Sequence, residues 1–164
     1  MGVQSKLMHY DHTRKLFQIA SERGLSLGEI NAASLLRRFR IRPTKQRLAL
    51  AALLFAKGNR HITAEELWSE AKVTKAPVSY ATIYNVLNLF SSAGLIRSLT
   101  VEGHPTIYDT NMTPHHHLFF EDKVTIVDLP SSAIGVNRSP KPPDGYEISR
   151  LDIVVRLRPN KAGR

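Results

Sequence analysis

The sequence predicts an α+β protein, and two changes of pattern along the chain support this class. Between residues 40 and 94, apolar residues recur at helical spacing and lead into a short hairpin. After Met112, β-branched runs alternate with a proline-rich loop. Three helices and a two-stranded ribbon form the winged helix-turn-helix pattern. We therefore predict a helical extension over residues 1–39, a winged-helix domain over 40–111 and a small second domain over 112–164.

The first helices follow from apolar spacing and from a capping signal. Residues 1–39 are predicted to be helical on both sides of a break at Gly24. Their apolar positions are Leu16, Ile19 and Ala20 before the break and Ile30, Ala33 and Leu36 after it. Pro43 disfavours helix at the preceding residue, and Thr44 can cap a new helix over 45–56. The predicted buried face of that helix holds Leu48, Ala52 and Phe55.

Two further helices are predicted in the winged-helix domain. Thr63 and Glu66 have the spacing of a capping box, which opens the second helix. Ser79 precedes a third helix over residues 80–93, which ends at Gly94. The apolar residues of this helix recur at i, i+3, i+4 and i+7, and they are Ile83, Val86, Leu87 and Phe90.

Extended segments are predicted on both sides of the domain boundary. Residues 95–100 and 106–108 flank a turn and form the hairpin. In the second domain, strands are predicted over 118–121, 124–129 and 151–157. The loop between the last two strands carries Pro130, Pro140, Pro142 and Pro143. A unit of about 50 residues buries little surface alone, so we expect it to pair with its copy in a homodimer.

Composition narrows the functional classes. The 164-residue chain has a net charge of +9 and a pI near 10.1, which favours a polyanionic partner such as nucleic acid. It has no cysteine, which excludes disulfides, a structural four-cysteine zinc site and a thiol switch. Neither a signal peptide nor a run of about 20 apolar residues is found. We expect a soluble, cytoplasmic protein with no membrane partner.

The helix over residues 80–93 is predicted to contact double-stranded DNA. The face opposite its apolar stripe consists of Tyr80, Thr82, Tyr84, Asn85 and Asn88. An ordinary solvated face is the alternative, but such faces favour Lys, Glu and Gln over these modest helix formers. Asparagine can pair with adenine, and tyrosine or threonine can pack on thymine methyl groups in the major groove. Arg42 and Lys45 are predicted to reach phosphates or a minor groove.

A cluster of three histidines, His115, His116 and His117, predicts a metal site. In a strand, His115 and His117 point to one face and His116 points to the other. Asp109 and Asp128 flank the cluster and supply oxygen ligands. A mixed nitrogen and oxygen set suits Fe(II), Mn(II) or Zn(II). The alternative, a surface tract or tag remnant, fits poorly with the apolar residues that follow directly.

Several motifs together resemble the Fur (ferric uptake regulator) family of metal-responsive repressors. The motifs are residues 42–47 (RPTKQR), 61–67 (HITAEEL), 79–87 (SYATIYNVL) and 94–96 (GLI). Four features look most like the iron response regulator (Irr) branch: Tyr84 with Asn85, residues 101–103 (VEG), the triple histidine and residues 151–158 (LDIVVRLR). The resemblance implies a dimer with an N-terminal winged helix and a C-terminal α/β dimerisation domain. It also implies cytoplasmic transcriptional control of iron and haem genes.

The resemblance further implies a regulatory metal site. Matched residue by residue, its ligands are His61, Asp109, His115, His117 and Asp128. On its own, His61 reads as a surface or capping histidine. Aspartate at both acidic positions resembles the peroxide-sensing branch more than the classical iron branch. The Irr branch is also linked with haem at the triple histidine, so we expect any haem ligand among His115, His116 and His117.

Three departures from the family pattern stand out. Phe120 and Lys123 occupy the place of a Cys-x-x-Cys zinc motif, so that structural zinc is not expected. The proline-rich loop over 130–145 replaces the long helix that follows the second strand. Asn85 stands where many relatives carry arginine, which suggests a different operator.

The main functional expectation is a DNA-binding repressor gated by metal or haem. A manganese-, zinc- or peroxide-responsive regulator of the same fold is the alternative within this class. A non-haem metalloenzyme is the rival from another class, but we expect no enzyme, because no nucleophile motif or glycine-rich phosphate loop is found. A third interpretation is a DNA-binding protein in which the histidine cluster is structural.

Overall fold

A computed structural model of the protein describes residues 32–160. The described residues divide into two compact units, with the boundary between Met112 and Thr113. The predicted helical run around Leu16 and Gly24 lies outside the described residues. The observed class is α+β, with the described α-helices in the first unit and a sheet in each unit.

The described part of the first unit contains four α-helices, α1 (Ala32–Arg38), α2 (Lys45–Phe55), α3 (Ala64–Val73) and α4 (Tyr80–Ser92). The last three begin directly after a residue that caps the helix. Thr44 caps α2 and Ser79 caps α4 through their hydroxyl oxygens. Thr63 and Glu66 form the complete capping box that the sequence predicts for α3.

The buried face of α2 differs from the predicted one. Leu50, Ala51, Leu54 and Phe55 are buried, whereas Ala52 is exposed and Leu48 is half-buried. The prediction placed the buried residues on a single apolar face of the helix. The helix instead contacts α1, α3 and α4, so its burial follows its neighbours more than the spacing of its own apolar residues.

A three-stranded antiparallel sheet completes the first unit. Its strands are β1 (His61–Thr63), β2 (Arg97–Leu99) and β3 (Ile107–Asp109), in the order β1-β3-β2. The hairpin of β2 and β3 agrees with the sequence, whereas β1 was not predicted. In the register, Asp109 pairs with His61 on one side and with Arg97 on the other.

An ion-paired cluster fixes α3 to the segment before β1. Glu70 accepts hydrogen bonds from Lys57 Nζ at 2.9 Å and from Arg60 Nη2 at 3.0 Å. Burial alone would raise the pKa of Glu70, but the hydrogen bonds and charges of Arg60 and Lys57 lower it below its ordinary value of 4.5.

The second unit is built on a mixed three-stranded sheet. Its strands are β4 (His115–Phe120), β5 (Thr125–Pro130) and β6 (Val154–Leu157), with β4 in the centre. The β4–β5 pair is antiparallel and the β4–β6 pair is parallel.

Several details of this sheet correct the sequence prediction. Strand β4 starts three residues before the predicted residue 118, so that it includes the histidines. Strand β6 begins at Val154 rather than at residue 151, and Pro130 ends β5 instead of lying in the loop. Among the described residues of this unit, the only helical segment is the 3₁₀ turn Ser131–Ala133. The α component expected of an α/β dimerisation domain is therefore reduced to one turn there.

Within residues 32–160, no helix combines the length and the apolar character needed to cross a membrane.

Candidate metal centre

Two imidazole rings meet on the central strand of the second sheet. His115 and His117 share a face because side chains alternate along β4. Their Nε2 atoms are 2.9 Å apart, and the ring centroids are 4.5 Å apart with planes at 69°. Both rings are buried, His117 completely. Two nitrogen donors thus converge on one point inside the protein.

Asp128 supplies an oxygen donor to the same point. It lies opposite His117 in the β4–β5 register, which places both side chains on one face. Its Oδ1 is 3.4 Å from His115 Nε2 and 4.0 Å from His117 Nε2. A divalent cation bound by these three atoms would neutralise a partly buried carboxylate and use both imidazole lone pairs. The donor set fits Mn(II), Fe(II) or Zn(II).

A backbone carbonyl sets the tautomer of His115. Its Nδ1 is 2.7 Å from the carbonyl oxygen of Thr113. A carbonyl oxygen can only accept a hydrogen bond, so Nδ1 carries the proton and Nε2 of the neutral ring keeps its lone pair. Metal-bound histidines in proteins are oriented in the same way. The ring is therefore prepared to act as a ligand through Nε2.

His116 lies on the opposite face of β4. Its side chain is buried, and its Nδ1 has no hydrogen-bond partner among the described residues. Its register partner on β5 is Leu129, and the next residue of β4 on that face is Leu118. The structure thus separates His116 from the pair formed by His115 and His117.

A second pair of donor residues lies within the first unit. His61 on β1 and Asp109 on β3 are register partners, and His61 Nε2 is 3.9 Å from Asp109 Oδ1. Asp109 is completely buried, and its Oδ1 accepts the backbone N–H of Asn111 at 2.6 Å. A buried carboxylate needs such donors or a cation to offset the loss of hydration.

Five of the candidate DNA-contacting residues lie on α4, and two lie at the start of α2. Tyr80, Tyr84, Asn85 and Asn88 are exposed, and Thr82 is half-buried. Thr82 also takes part in the cap of the helix, because its hydroxyl is 2.9 Å from that of Ser79. Arg42 precedes α2 and Lys45 is its first residue, and both are exposed to solvent.

An aromatic row extends along the start of α4. The ring centroids of Trp68 and Tyr80 are 5.1 Å apart, as are those of Tyr80 and Tyr84. The two tyrosine hydroxyls are 3.3 Å apart, and this hydrogen bond raises the pKa of Tyr80. Lys72 Nζ lies 3.6 Å from the centroid of the Trp68 ring. These contacts favour one orientation of Tyr80 and Tyr84 on the helix surface.

Asn88 has a structural contact in addition to its exposed position. Its side-chain oxygen accepts the Tyr108 hydroxyl at 3.2 Å, which leaves its amide hydrogens as donors. Burial raises the pKa of Tyr108, so this hydroxyl stays protonated and donates throughout the ordinary pH range.

The sequence interpretation missed one buried charge, Arg97 on β2. Its side chain is buried, and its Nη2 donates to the backbone carbonyl of Met112 at 3.0 Å. A signal was present in the sequence, because Arg97 alternates with Leu99 and therefore shares the inward face of the strand.

The sequence of the chain matches a known protein family. The sequence pattern of the ferric uptake regulator family matches residues 39–155. The peroxide-responsive repressor PerR of Staphylococcus aureus (strain Mu50) is 34% identical over 94 residues, which make up 57% of this chain and 63% of that protein. The chain thus spans less than two thirds of the length of this curated relative.

Solved structures show the same fold. The ferric uptake regulator of Pseudomonas aeruginosa, solved with manganese, has a TM-score of 0.65 at 23% identity and covers 79% of this chain and 98% of its own. The Vibrio cholerae ferric uptake regulator has a TM-score of 0.60 at 20% identity and covers 77% and 98%. The Campylobacter jejuni peroxide stress regulator has a TM-score of 0.52 at 23% identity and covers 71% and 87%.

Proposed function

The chain belongs to the ferric uptake regulator family, and from this premise we propose that it is a DNA-binding transcriptional regulator whose operator affinity depends on a divalent metal ion. Members of this family are transcription regulators rather than enzymes, which removes the metalloenzyme alternative. The convergence of His115, His117 and Asp128 on one point is the observation that carries the metal-dependent part of the proposal.

The proposed ligands begin with these three residues of the second unit. The tautomer of His115, fixed by Thr113, supports a role in coordination rather than a purely structural one. His61 and Asp109 of the first unit are the other ligands that the sequence suggests, and we retain them in the proposal. The number of metal ions bound per chain, measured with and without these two side chains, tests whether they serve the same ion.

The proposed DNA interface is the exposed face of α4. Tyr84 and Asn85 would read base edges, and the ordered Tyr80 ring would pack on thymine methyl groups. Thr82 and Asn88 complete the proposed reading face, while Arg42 and Lys45 would contact phosphates. The net charge of +9 supports a polyanionic partner. A symmetric operator would match a homodimer, which the family likeness also supports.

The regulated genes form the most specific part of the proposal. Resemblance to the Irr branch supports repression of iron and haem genes in the cytoplasm, whereas the PerR likeness supports a peroxide-responsive regulator. A manganese- or zinc-responsive regulator uses the same donor types. His116, which lies buried on the apolar side of β4 away from the metal donors, supports haem as a second ligand to be tested.

The decisive experiment measures operator affinity with and without metal. A duplex is first selected from a pool with a randomised centre in the presence of Mn(II). Fluorescence anisotropy then gives its Kd in chelator, in Mn(II), in Fe(II) without oxygen, in Zn(II) and in haem, with a scrambled duplex as the specificity control. We expect at least one metal to tighten binding by about 5- to 150-fold, the usual range of allosteric coupling.

Matched variants connect this effect to the proposed ligands. Replacing His115 and His117 together with alanine should abolish the metal effect, whereas His116→Ala should retain it. Equal operator affinity of the unaltered protein in chelator and in every metal would contradict metal control. A haem effect that disappears only in His116→Ala would assign haem to the other face of β4.

A further inference from the structure

Arg97 is a permanently charged side chain inside the first unit. It is only 3% exposed, and a cation in that position needs nearby acceptors or an opposite charge. Its register partner across the sheet is the buried Asp109, which has His61 on its other side. Arg97 therefore belongs to the same row of the sheet as two proposed ligands, although arginine itself does not bind cations.

Each of the three residues that follow β3 makes a hydrogen bond to the first unit. Thr110 donates its N–H to the Arg60 carbonyl at 3.0 Å. Asn111 donates its N–H to Asp109 Oδ1 at 2.6 Å, and Arg97 Nη2 donates to the Met112 carbonyl at 3.0 Å. The segment 110–112 is buried or half-buried. It ends the first unit, and only two residues separate Met112 from His115 along the chain.

The hydrogen bond of Asn111, the middle residue of this segment, is made to Asp109, which is a proposed metal ligand. A cation at the Asp109 carboxylate would draw charge from the oxygen that accepts the Asn111 N–H, and would weaken that hydrogen bond. The hydrogen bonds of Thr110 and Met112 involve no proposed ligand, so we expect a cation at Asp109 to leave them in place. Because the segment 110–112 is held at Thr110 and at Met112, a change at Asn111 should move the whole segment. If the Met112 carbonyl were not held, rotation of the backbone at that end would absorb the change.

We propose that Arg97 is a positioning residue that couples metal binding to operator binding by holding the Met112 carbonyl. This inference rests on the proposed function, because it needs a regulator that responds to a metal ion. It differs from a purely structural role for Arg97, which would affect stability but not the ratio between operator affinities with and without metal.

The test measures that ratio together with metal binding. Anisotropy with the selected duplex gives the operator Kd in chelator and in Mn(II), and isothermal titration gives the Mn(II) stoichiometry. Arg97→Met removes the donor, and Arg97→Lys restores a cationic donor of similar length. Arg60→Met is the matched control, because it removes another largely buried arginine side chain, which bonds to Glu70. The substitution keeps the backbone N–H and carbonyl of residue 60, which are the groups that bond to Thr110.

We expect Arg97→Met to bind one Mn(II) per chain. Its ratio of operator Kd in chelator to Kd in Mn(II) should fall to about 3 or less, from the 5- to 150-fold range expected of the unaltered protein. Arg97→Lys should recover most of the ratio, and Arg60→Met should keep it. Should Arg97→Met fail to fold, Arg97→Gln carries the same test, because its amide is polar but too short to reach Met112.

The outcomes separate the two proposals. A normal ratio in a folded Arg97→Met or Arg97→Gln protein overturns the inference alone, since the unaltered protein still responds to metal. Loss of Mn(II) binding in these variants also overturns it, because Arg97 would then act on binding and not on coupling. A ratio of 1 in the unaltered protein overturns the proposed function and the inference with it.

Discussion

At the residue scale, one hydrogen bond determines which nitrogen of His115 can bind a metal ion. The Thr113 carbonyl forces the proton onto Nδ1, so that Nε2 faces His117 with a free lone pair. Without a metal ion, the Nε2–H of His117 can donate to that lone pair. With a metal ion, both nitrogens and Asp128 Oδ1 can bind the cation instead. The same geometry is thus compatible with a stable apo state and with a metal-bound state.

Metal binding should therefore depend on the two histidines that share a face. The double variant His115→Ala with His117→Ala should bind no Mn(II) in isothermal titration, whereas His116→Ala should bind as the unaltered chain does. A proton and a metal ion compete for the same imidazole lone pair, so the Mn(II) affinity should fall as the buffer is acidified. Equal loss of binding in His116→Ala would show that the alternation along β4 does not separate the ligands.

Part of this site could be predicted from the sequence. Alternation along a strand is local, and it correctly placed His115 and His117 together and His116 apart. The role of the Thr113 carbonyl was not predictable, because it depends on the exact path of the chain before β4. The alternation along β2 could have indicated that Arg97 is buried, but its acceptor could not be predicted, because Met112 lies 15 residues away along the chain.

At the element scale, α4 combines a buried stripe with an ordered exposed face. Ile83, Val86, Leu87 and Phe90 are all buried. On the outer face, the Tyr80 ring contacts both Trp68 and Tyr84, which favours one orientation of the two tyrosines. An ordered side chain loses less conformational entropy when it contacts a ligand. This arrangement supports α4 as the element that reads the operator.

Substitutions on the outer face should weaken specific binding without unfolding the protein. Tyr84 is 40% exposed, and we expect Tyr84→Ala and Asn85→Ala each to cost about 1–3 kcal/mol of operator binding. Anisotropy with the selected and scrambled duplexes measures the loss, and thermal unfolding checks the fold. Ser92→Ala, at the far end of the same helix, serves as a control. Unchanged affinity in both test variants would exclude α4 as the reading element.

The elements themselves were predictable to different degrees. Helices α2, α3 and α4 were found because caps such as Thr63 with Glu66 are local signals. Strand β1 was missed because three residues directly before a helix carry little pattern, and their pairing with β3 spans more than 40 residues of the chain. The predicted burial of Ala52 was wrong, because neighbouring helices decide which side of α2 is buried.

At the scale of the whole molecule, the second unit has an apolar sheet face that is only partly covered. His115, His117 and Phe119 lie on one face, while Leu118, Phe120, Val127, Val155 and Leu157 lie on the other. Val127 is 45% exposed, and the other four are half-buried. An apolar sheet face of a small unit gains stability when a second copy covers it. The absence of cysteine means that no zinc–thiolate site replaces this contribution.

The protein should therefore form a homodimer in solution even in the presence of chelator, and light scattering at micromolar concentration should give twice the mass of the chain. Val127→Lys tests the face, because a lysine at the interface must lose hydration without an opposite charge. We expect its dimer Kd to rise by at least about tenfold, which corresponds to about 1.4 kcal/mol. Val136→Lys is the matched control, since Val136 is equally exposed at 45% but lies outside the sheet. A monomeric unaltered protein would contradict dimerisation, whereas equal weakening by both variants would show that this sheet face is not the interface.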